Sequence, residues 1–207
     1  MYSDLTYSDA ASGAVTLLTK GTLGKADVFI AHHRGLRFIV KDFEKKGFWE
    51  RNFFGRFVIG REARAYRALA GIDGLPSQFK RLTPCSLAIE YLDGKDFGGI
   101  QQGEIGPGVV LQFERIVEDL HDRGWVHLDL QRRMNILLVN GKVYVVDLAS
   151  AFHPGAVPVI GRCLLRMMSF FDRLSLIKLK KLYAPELITA RERKLLKLRN
   201  LVMPTKW

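Results

Sequence analysis

The 207 residues carry 48% hydrophobic and 26% charged side chains, a balance that excludes a disordered chain and leaves enough sequence for one domain, or two small lobes, with a sizeable core. Cys85 and Cys163 lie far apart and in no metal-ligand spacing, which argues against a disulfide framework or a cysteine zinc site. The net charge of +11 is uneven: from 161 to 207, 12 Lys or Arg stand against 3 Asp or Glu, whereas the preceding residues hold 20 against 18, so the C-terminal segment is expected to meet something anionic.

The opening MYSDLTYSDAASG is polar, with no basic start and apolar run, so it does not read as a secretory leader. No stretch reaches the roughly 18 uncharged apolar residues of a spanning helix, and the expected location is the cytoplasm. No repeat or low-complexity tract is visible. The first third reads as strands: KGTLGKADVFIAHH carries a glycine turn before DVFIA, HHRG makes a hairpin turn, and LRFIVKDF runs on to Lys41. GREARAYRALAG spaces small and apolar residues for a helix near 60–70, and LAIEYLDG reads as a strand ending at Asp93-Gly94. Residues 94 to 108 are glycine-rich and predict a loop. Pro107 opens and Gly124 closes the next helix. NILLV and KVYVVDL follow as strands joined by Asn140-Gly141, a strong hairpin turn, and the remainder is helical in pattern. Strands first and helices later predict an α+β protein.

Residues 120–150 carry the chemistry. LHDRGWVHLDLQRRMNILLVNGKVYVVDLAS places Asp129, Asn135 and Asp147 around a loop and a hairpin that can fold the second acid back towards the first. Phosphoryl transfer needs such a set: one carboxylate to orient an attacking hydroxyl, another acid and an amide oxygen to hold magnesium on phosphates.

HLDLQRRMNILL followed by VVDLAS resembles the catalytic loop and metal-binding motif of protein-kinase-like enzymes. The resemblance implies a bilobal α+β protein-kinase-like fold in one domain. A β-rich N-lobe would span about 14–92 and a truncated helical C-lobe about 93–207, ending in a basic helical tail at 161–207. It implies ATP and Mg2+ as cofactors, Asp129 as catalytic base, Asn135 and Asp147 as magnesium ligands, and Leu137 as the floor of the adenine pocket. Lys41, at the end of FIVK, would grip the α- and β-phosphates, and Glu62 would pair with it. The backbone around Glu90 and Leu92 would form the hinge that holds adenine. Gly21 and Gly24 fall short of the full glycine-rich signature; KGTLGKADVF is closer to the GKxxDV form of RIO-type kinases, with Val28 over the adenine.

Three features depart from the usual pattern: Asn135 follows Asp129 by six residues instead of five, Ala149 stands where a glycine is expected, and the loop carries Arg132 and Arg133, expected to neutralise transferring or acceptor phosphates. The short C-terminal part resembles RIO-like enzymes or lipopolysaccharide kinases. The latter phosphorylate Kdo or heptose sugars of the lipid A–core at the cytoplasmic face of the inner membrane. The expected activity is therefore phosphorylation of a sugar hydroxyl of a lipopolysaccharide core or related glycolipid. The alternatives are a RIO-like Ser/Thr protein kinase and a non-catalytic nucleotide-binding or membrane adaptor pseudokinase.

Plotted at 100° per residue, GRCLLRMMSFFDRLSLIKLKK gathers Arg162, Arg166, Arg173 and Lys180 within about 40°, beside Ser169, with apolar residues over much of the rest. This predicts a core helix with a solvated basic edge. It is also compatible with contact to an anionic membrane surface, helped by Lys178 and Lys181, and so with a peripheral location on the inner membrane. Nucleic acid is not expected, since no aromatic-interleaved basic motif or recognised binding fold is present.

Overall fold

A computed structural model describes residues 4–12, 15–156 and 160–202. The chain forms two compact units, the first running to Asp93 and returning for Val146–Ala151, the second holding Gly94–Val145 and the chain from Phe152.

The first unit is built on five antiparallel strands: β1 (Thr16–Thr19), β2 (Asp27–His33), β3 (Leu36–Asp42), β4 (Phe79–Thr83) and β5 (Ser86–Glu90), in the order β1-β2-β3-β5-β4. Arg34 and Gly35 join β2 to β3 with φ of 50° and 76°. Positive φ at both positions gives the turn a twist that matches the strands. Strand alternation then divides the sheet. Ala31, Phe38, Val40 and Ala88 bury one face against Leu5 and Ala10, so a short helix α1 (Tyr7–Ser12), absent from the sequence expectations, lids that face. The Tyr7 hydroxyl donates to Asp42 at 3.0 Å, and burial raises the Asp42 carboxyl above its ordinary value.

The expected helix near 60–70 is α2 (Arg56–Ala68), and it continues a π-helical stretch at Glu50–Gly55. Gly55 makes that entry possible, because a Cβ there would meet the Phe43 side chain at 2.7 Å. Ile59, Ala63 and Tyr66 form the buried stripe of α2, with Glu62 among them.

In the second unit, α3 (Pro107–Asp122) starts at its proline and is closed by Gly124 at φ 76°. Strands β6 (Lys95–Asp96), β7 (Ile136–Val139) and β8 (Lys142–Val145) pair antiparallel, β7 and β8 through Asn140 and Gly141 at φ 49° and 80°. Gln112 on α3 clasps this hairpin, accepting from the Val143 N–H at 3.0 Å and donating to the Gly141 carbonyl at 3.2 Å. The predicted loop at 94–108 holds β6 and otherwise turns.

The last two helices are α4 (Gly161–Tyr183) and α5 (Ala190–Val202). Thr189 and Glu192 form a reciprocal capping box at the start of α5, the Thr189 N–H donating to the Glu192 carboxylate at 2.7 Å and the Glu192 N–H to the Thr189 hydroxyl at 3.2 Å. The basic edge expected on α4 is solvated at Arg162, Arg166 and Arg173 and is corrected only at Lys180 and Ser169. Ser169, Asp172 and Lys180 are buried, whereas Met167, Phe170 and Phe171 are exposed beside Arg162, Arg166 and Arg173. Lys180 is buried because its ammonium meets Glu114 at 2.6 Å and Glu192 at 3.0 Å, joining α3, α4 and α5. Burial pulls that ammonium down, but the two carboxylates outweigh it and hold it above its ordinary value. No helix among the described residues is long and apolar enough to cross a membrane.

Candidate active site

In the β-rich unit, β3 delivers Lys41 and α2 delivers Glu62, and their Nζ and Oε1 atoms lie 2.7 Å apart. The DLAS segment brings Asp147, whose Oδ1 is 2.6 Å from the same Nζ. Lys41 and Glu62 are nearly or fully inaccessible, whereas the Asp147 side chain keeps 40% of its surface. Burial works against charge on both partners. It lowers Lys41, yet the Glu62 and Asp147 carboxylates more than compensate and its ammonium stays above its ordinary value. For Glu62 burial prevails over the attraction of Lys41, and its carboxyl is raised.

Asp147 has a left-handed backbone, φ 63° and ψ 68°, a conformation that Asp tolerates better than most residues. Its carboxylate accepts the Ala149 N–H at 3.4 Å, and Arg61 on α2 donates to the Ala149 carbonyl. Ala149 thus fills the expected glycine position without a positive φ.

The sheet register places Val28 and Leu87 directly opposite Lys41 on its two neighbouring strands. Residues opposite one another share a face, so Val28, Ile30, Ile39, Leu87 and Ile89 make an apolar surface around Lys41. The turn before β2 is tied from within: the Asp27 carboxylate accepts the Gly21 N–H at 2.8 Å, and Lys46 reaches both Asp27, at 2.8 Å, and the Gly21 carbonyl, at 2.7 Å. A Cβ on Gly21 would lie 2.2 Å from the Lys25 carbonyl oxygen, so glycine is required there. Gly24 has φ 74° and donates its N–H to Glu50 at 2.8 Å.

Glu90 has a structural duty that the sequence did not disclose. Its N–H donates to the Gln78 carbonyl at 2.8 Å, and its carboxylate accepts from the Ser77 N–H at 2.7 Å and hydroxyl at 2.9 Å. That N–H is therefore committed within the sheet. Leu92 follows in extended chain beyond β5, partly exposed.

In the helical unit, the loop after α3 assembles the second group. Asn135 donates from Nδ2 to the Asp129 carbonyl at 3.0 Å and to its Oδ2 at 3.2 Å. Arg132 lies 3.3 Å from the Asp129 Oδ1. The six-residue spacing is absorbed by a 3-10 turn at Arg133–Asn135, closed by the Asn135 N–H on the Arg132 carbonyl at 2.9 Å. Arg133 turns to the Tyr183 hydroxyl at 3.2 Å, and Leu137 lies on β7, partly exposed.

Asp172 is the residue that sequence reasoning missed. Its carboxylate accepts the backbone N–H groups of His127 and Leu128, both at 2.8 Å, and lies 3.1 Å from His121 Nε2. Leu128 needs this support: its φ is 66°, which a bulky side chain disfavours. One signal was available, since Asp172 is the sole acid between 161 and 185.

The oxygen donors suit magnesium. Asp147 is a partly exposed carboxylate, and Asn135, with its NH2 turned to Asp129, has an amide oxygen to offer. Among the described residues no cluster of three His, Cys, Asp or Glu forms a preassembled metal cage.

No family model and no curated protein matches the sequence. Among the solved structures that match is the Rio2 kinase from Chaetomium thermophilum, with a TM-score of 0.58 and 12% identity over 86% of this chain. The chain spans 60% of that kinase's length. The likeness is one of fold, and with the mixed α+β architecture it establishes that this chain has a protein-kinase-like fold.

Proposed function

We propose that this chain is an ATP-dependent phosphotransferase with an alcohol acceptor, best read as a sugar hydroxyl of a lipopolysaccharide core or related glycolipid. The observation that carries the reading is the buried Lys41 ammonium, compensated by Glu62 at 2.7 Å and Asp147 at 2.6 Å. A lysine has three donors, and two meet these carboxylates; the third can serve a phosphate oxygen. The apolar face around Val28 and Ile39 offers a surface for adenine, above the turn that holds Gly21 and Gly24.

Asp129 would accept a hydrogen bond from the acceptor hydroxyl and take its proton as the phosphoryl group moves. Asn135 and Arg132 fix the carboxylate for that task. Magnesium, when held at Asp147, would neutralise charge on the phosphates, and Asn135 of the other unit carries an amide oxygen of the kind that ion accepts. Arg132 and Arg133 add cations to the same loop.

The outward face of α4, with Met167, Phe170 and Phe171 beside three arginines, supports contact with an anionic membrane surface and a glycolipid acceptor presented there. A RIO-like protein kinase is the second reading, favoured by the Rio2 likeness and the Gly21–Val28 turn.

Purified protein with ATP and magnesium should turn over, and Asp129→Ala should lower the rate about a hundredfold or more. Equal turnover by both proteins would reject the assigned base, and no turnover by wild type would leave the non-catalytic pseudokinase. Labelling a native extract with γ-labelled ATP should mark the glycolipid fraction, whereas label confined to protein would select the second reading.

A further inference from the structure

Within the helical unit a cavity of about 530 Å³ begins one residue beyond Asp129, at Leu130 and Gln131. Arg133 from the loop, which also donates to the Tyr183 hydroxyl, and Lys178 and Lys181 from α4 line it, and among the described residues no acid does. Gln102 and Gln131 supply amides, while Leu179 and Leu182 make an apolar wall. The volume is that of a small-ligand site. Three cations in the lining favour a charged oxygen group, amides favour hydroxyls, and leucines favour an attached apolar portion.

We propose that this cavity binds the acceptor, and that the acceptor is an acidic sugar, carrying a carboxylate or a phosphate, with an apolar substituent. The proposal adopts the phosphotransfer reading for its reaction, but binding can be tested without turnover. Thermal-shift and calorimetric titrations would use glucuronate, glucose 6-phosphate and glucose as probes, with wild type and the Lys178→Gln/Lys181→Gln double variant. Both acidic probes, or one of them, should bind wild type, and glucose should bind at least tenfold more weakly. Binding by one alone identifies the acidic group. The double variant should lose about tenfold in affinity for the acidic probe, the worth of one charge-assisted hydrogen bond. Glucose binding as well as the acidic probes, an unaffected double variant, or no binding at all would overturn the pocket. A dead wild-type enzyme that still binds the acidic probes would instead sink the phosphotransfer reading and spare the site.

A different surface, on the β-rich unit, leads to a second proposal. Phe48, Trp49, Phe53, Phe54 and Phe57 are each more than half exposed within ten residues. Trp49 stacks on Phe53 at 5.1 Å and meets Phe48 edge-on at 5.7 Å, so these rings pack on one another. Between 45 and 67, Lys46 is paired with Asp27 and Arg51 with Glu44, which leaves Lys45, Arg56, Arg64 and Arg67 as exposed cations, while the two acids are engaged, Glu50 with the Gly24 N–H and Glu62 with Lys41. Exposed aromatic rings in a cationic surround match the headgroup region of an anionic bilayer. We infer that the π-helical segment docks on anionic phospholipid.

Vesicles of phosphatidylglycerol and phosphatidylcholine at low salt should shift Trp49 emission to the blue and carry the protein in flotation, while phosphatidylcholine alone should not. Trp49→Phe should abolish the shift. Phe48→Ser with Phe57→Ser, both at exposed positions, should weaken flotation at least tenfold. No shift with anionic vesicles, equal flotation of the serine variant, or a dimer in sedimentation that the serine variant dissolves would refute membrane docking.

Discussion

Each unit sets a candidate acid on or next to a left-handed backbone residue, but by opposite means. In the β-rich unit the residue at φ 63° is Asp147 itself, and its carboxylate is held by the charge of Lys41. In the helical unit the residue at φ 66° is Leu128, just before Asp129, and it is held by a backbone N–H bond to Asp172. The first arrangement rests on compensation among buried charges. The second rests on hydrogen bonding that forces a disfavoured turn. Removing a charge should therefore hurt the first most, and removing an acceptor the second.

The largest effect should come from Lys41→Met. It leaves Glu62 buried without its cation and should cost about 3–5 kcal/mol in urea unfolding, along with phosphoryl transfer. Adding Glu62→Gln should restore most of the stability and none of the activity. If the double variant is no more stable than the single, charge compensation is the wrong account of this group.

Asp172→Ala comes next. It strips two N–H groups of their acceptor, and unfolding should shift by about 2–3 kcal/mol. Asp172→Asn keeps one acceptor oxygen and should lose less, about 1 kcal/mol. Because Asp172 positions the loop and leaves the Lys41 group untouched, kcat should fall in the Asn variant while KM for ATP stays put. A rise in KM for ATP with unchanged kcat would remove Asp172 from that role.

The smallest effect concerns Glu192. Burial alone would raise its carboxyl, but Thr189 and Lys180 hold it below the ordinary 4.5. Its contribution is thus complete above 4.5 and fades as pH falls through the lower folded value. Urea midpoints for wild type and Glu192→Gln should differ by less than about 1 kcal/mol at neutral pH and converge in acid. A gap that widens in acid would reverse the assigned direction.

Local chemistry was legible in the sequence. Asn140-Gly141, Pro107 with Gly124, and the run from His127 to Asp147 each announce themselves within a few residues, and the structure places them in the expected elements. The pairing of Lys41 with Glu62 was also anticipated. What stayed hidden depends on distant partners or on polar burial. Asp172 lies 45 residues from His127, and a single acid on an otherwise apolar and basic helix reads as a solvated charge. Lys180 reads as a surface cation until two carboxylates from other helices surround it. The lid formed by α1 and the π-helical entry to α2 have no periodic signature, since one is a single short turn and the other departs from 3.6 residues per turn.

The return of Val146–Ala151 to the β-rich unit has a consequence for how the chain is made. Lys41 leaves the ribosome 106 residues before Asp147, an interval of roughly 5 to 20 s at ordinary rates of synthesis. Until then the nascent sheet holds its buried ammonium with Glu62 alone. The amino-terminal unit is thus finished only after α3 and the β7–β8 hairpin have been translated, and a fragment cut at Asp93 would be permanently short of its third member.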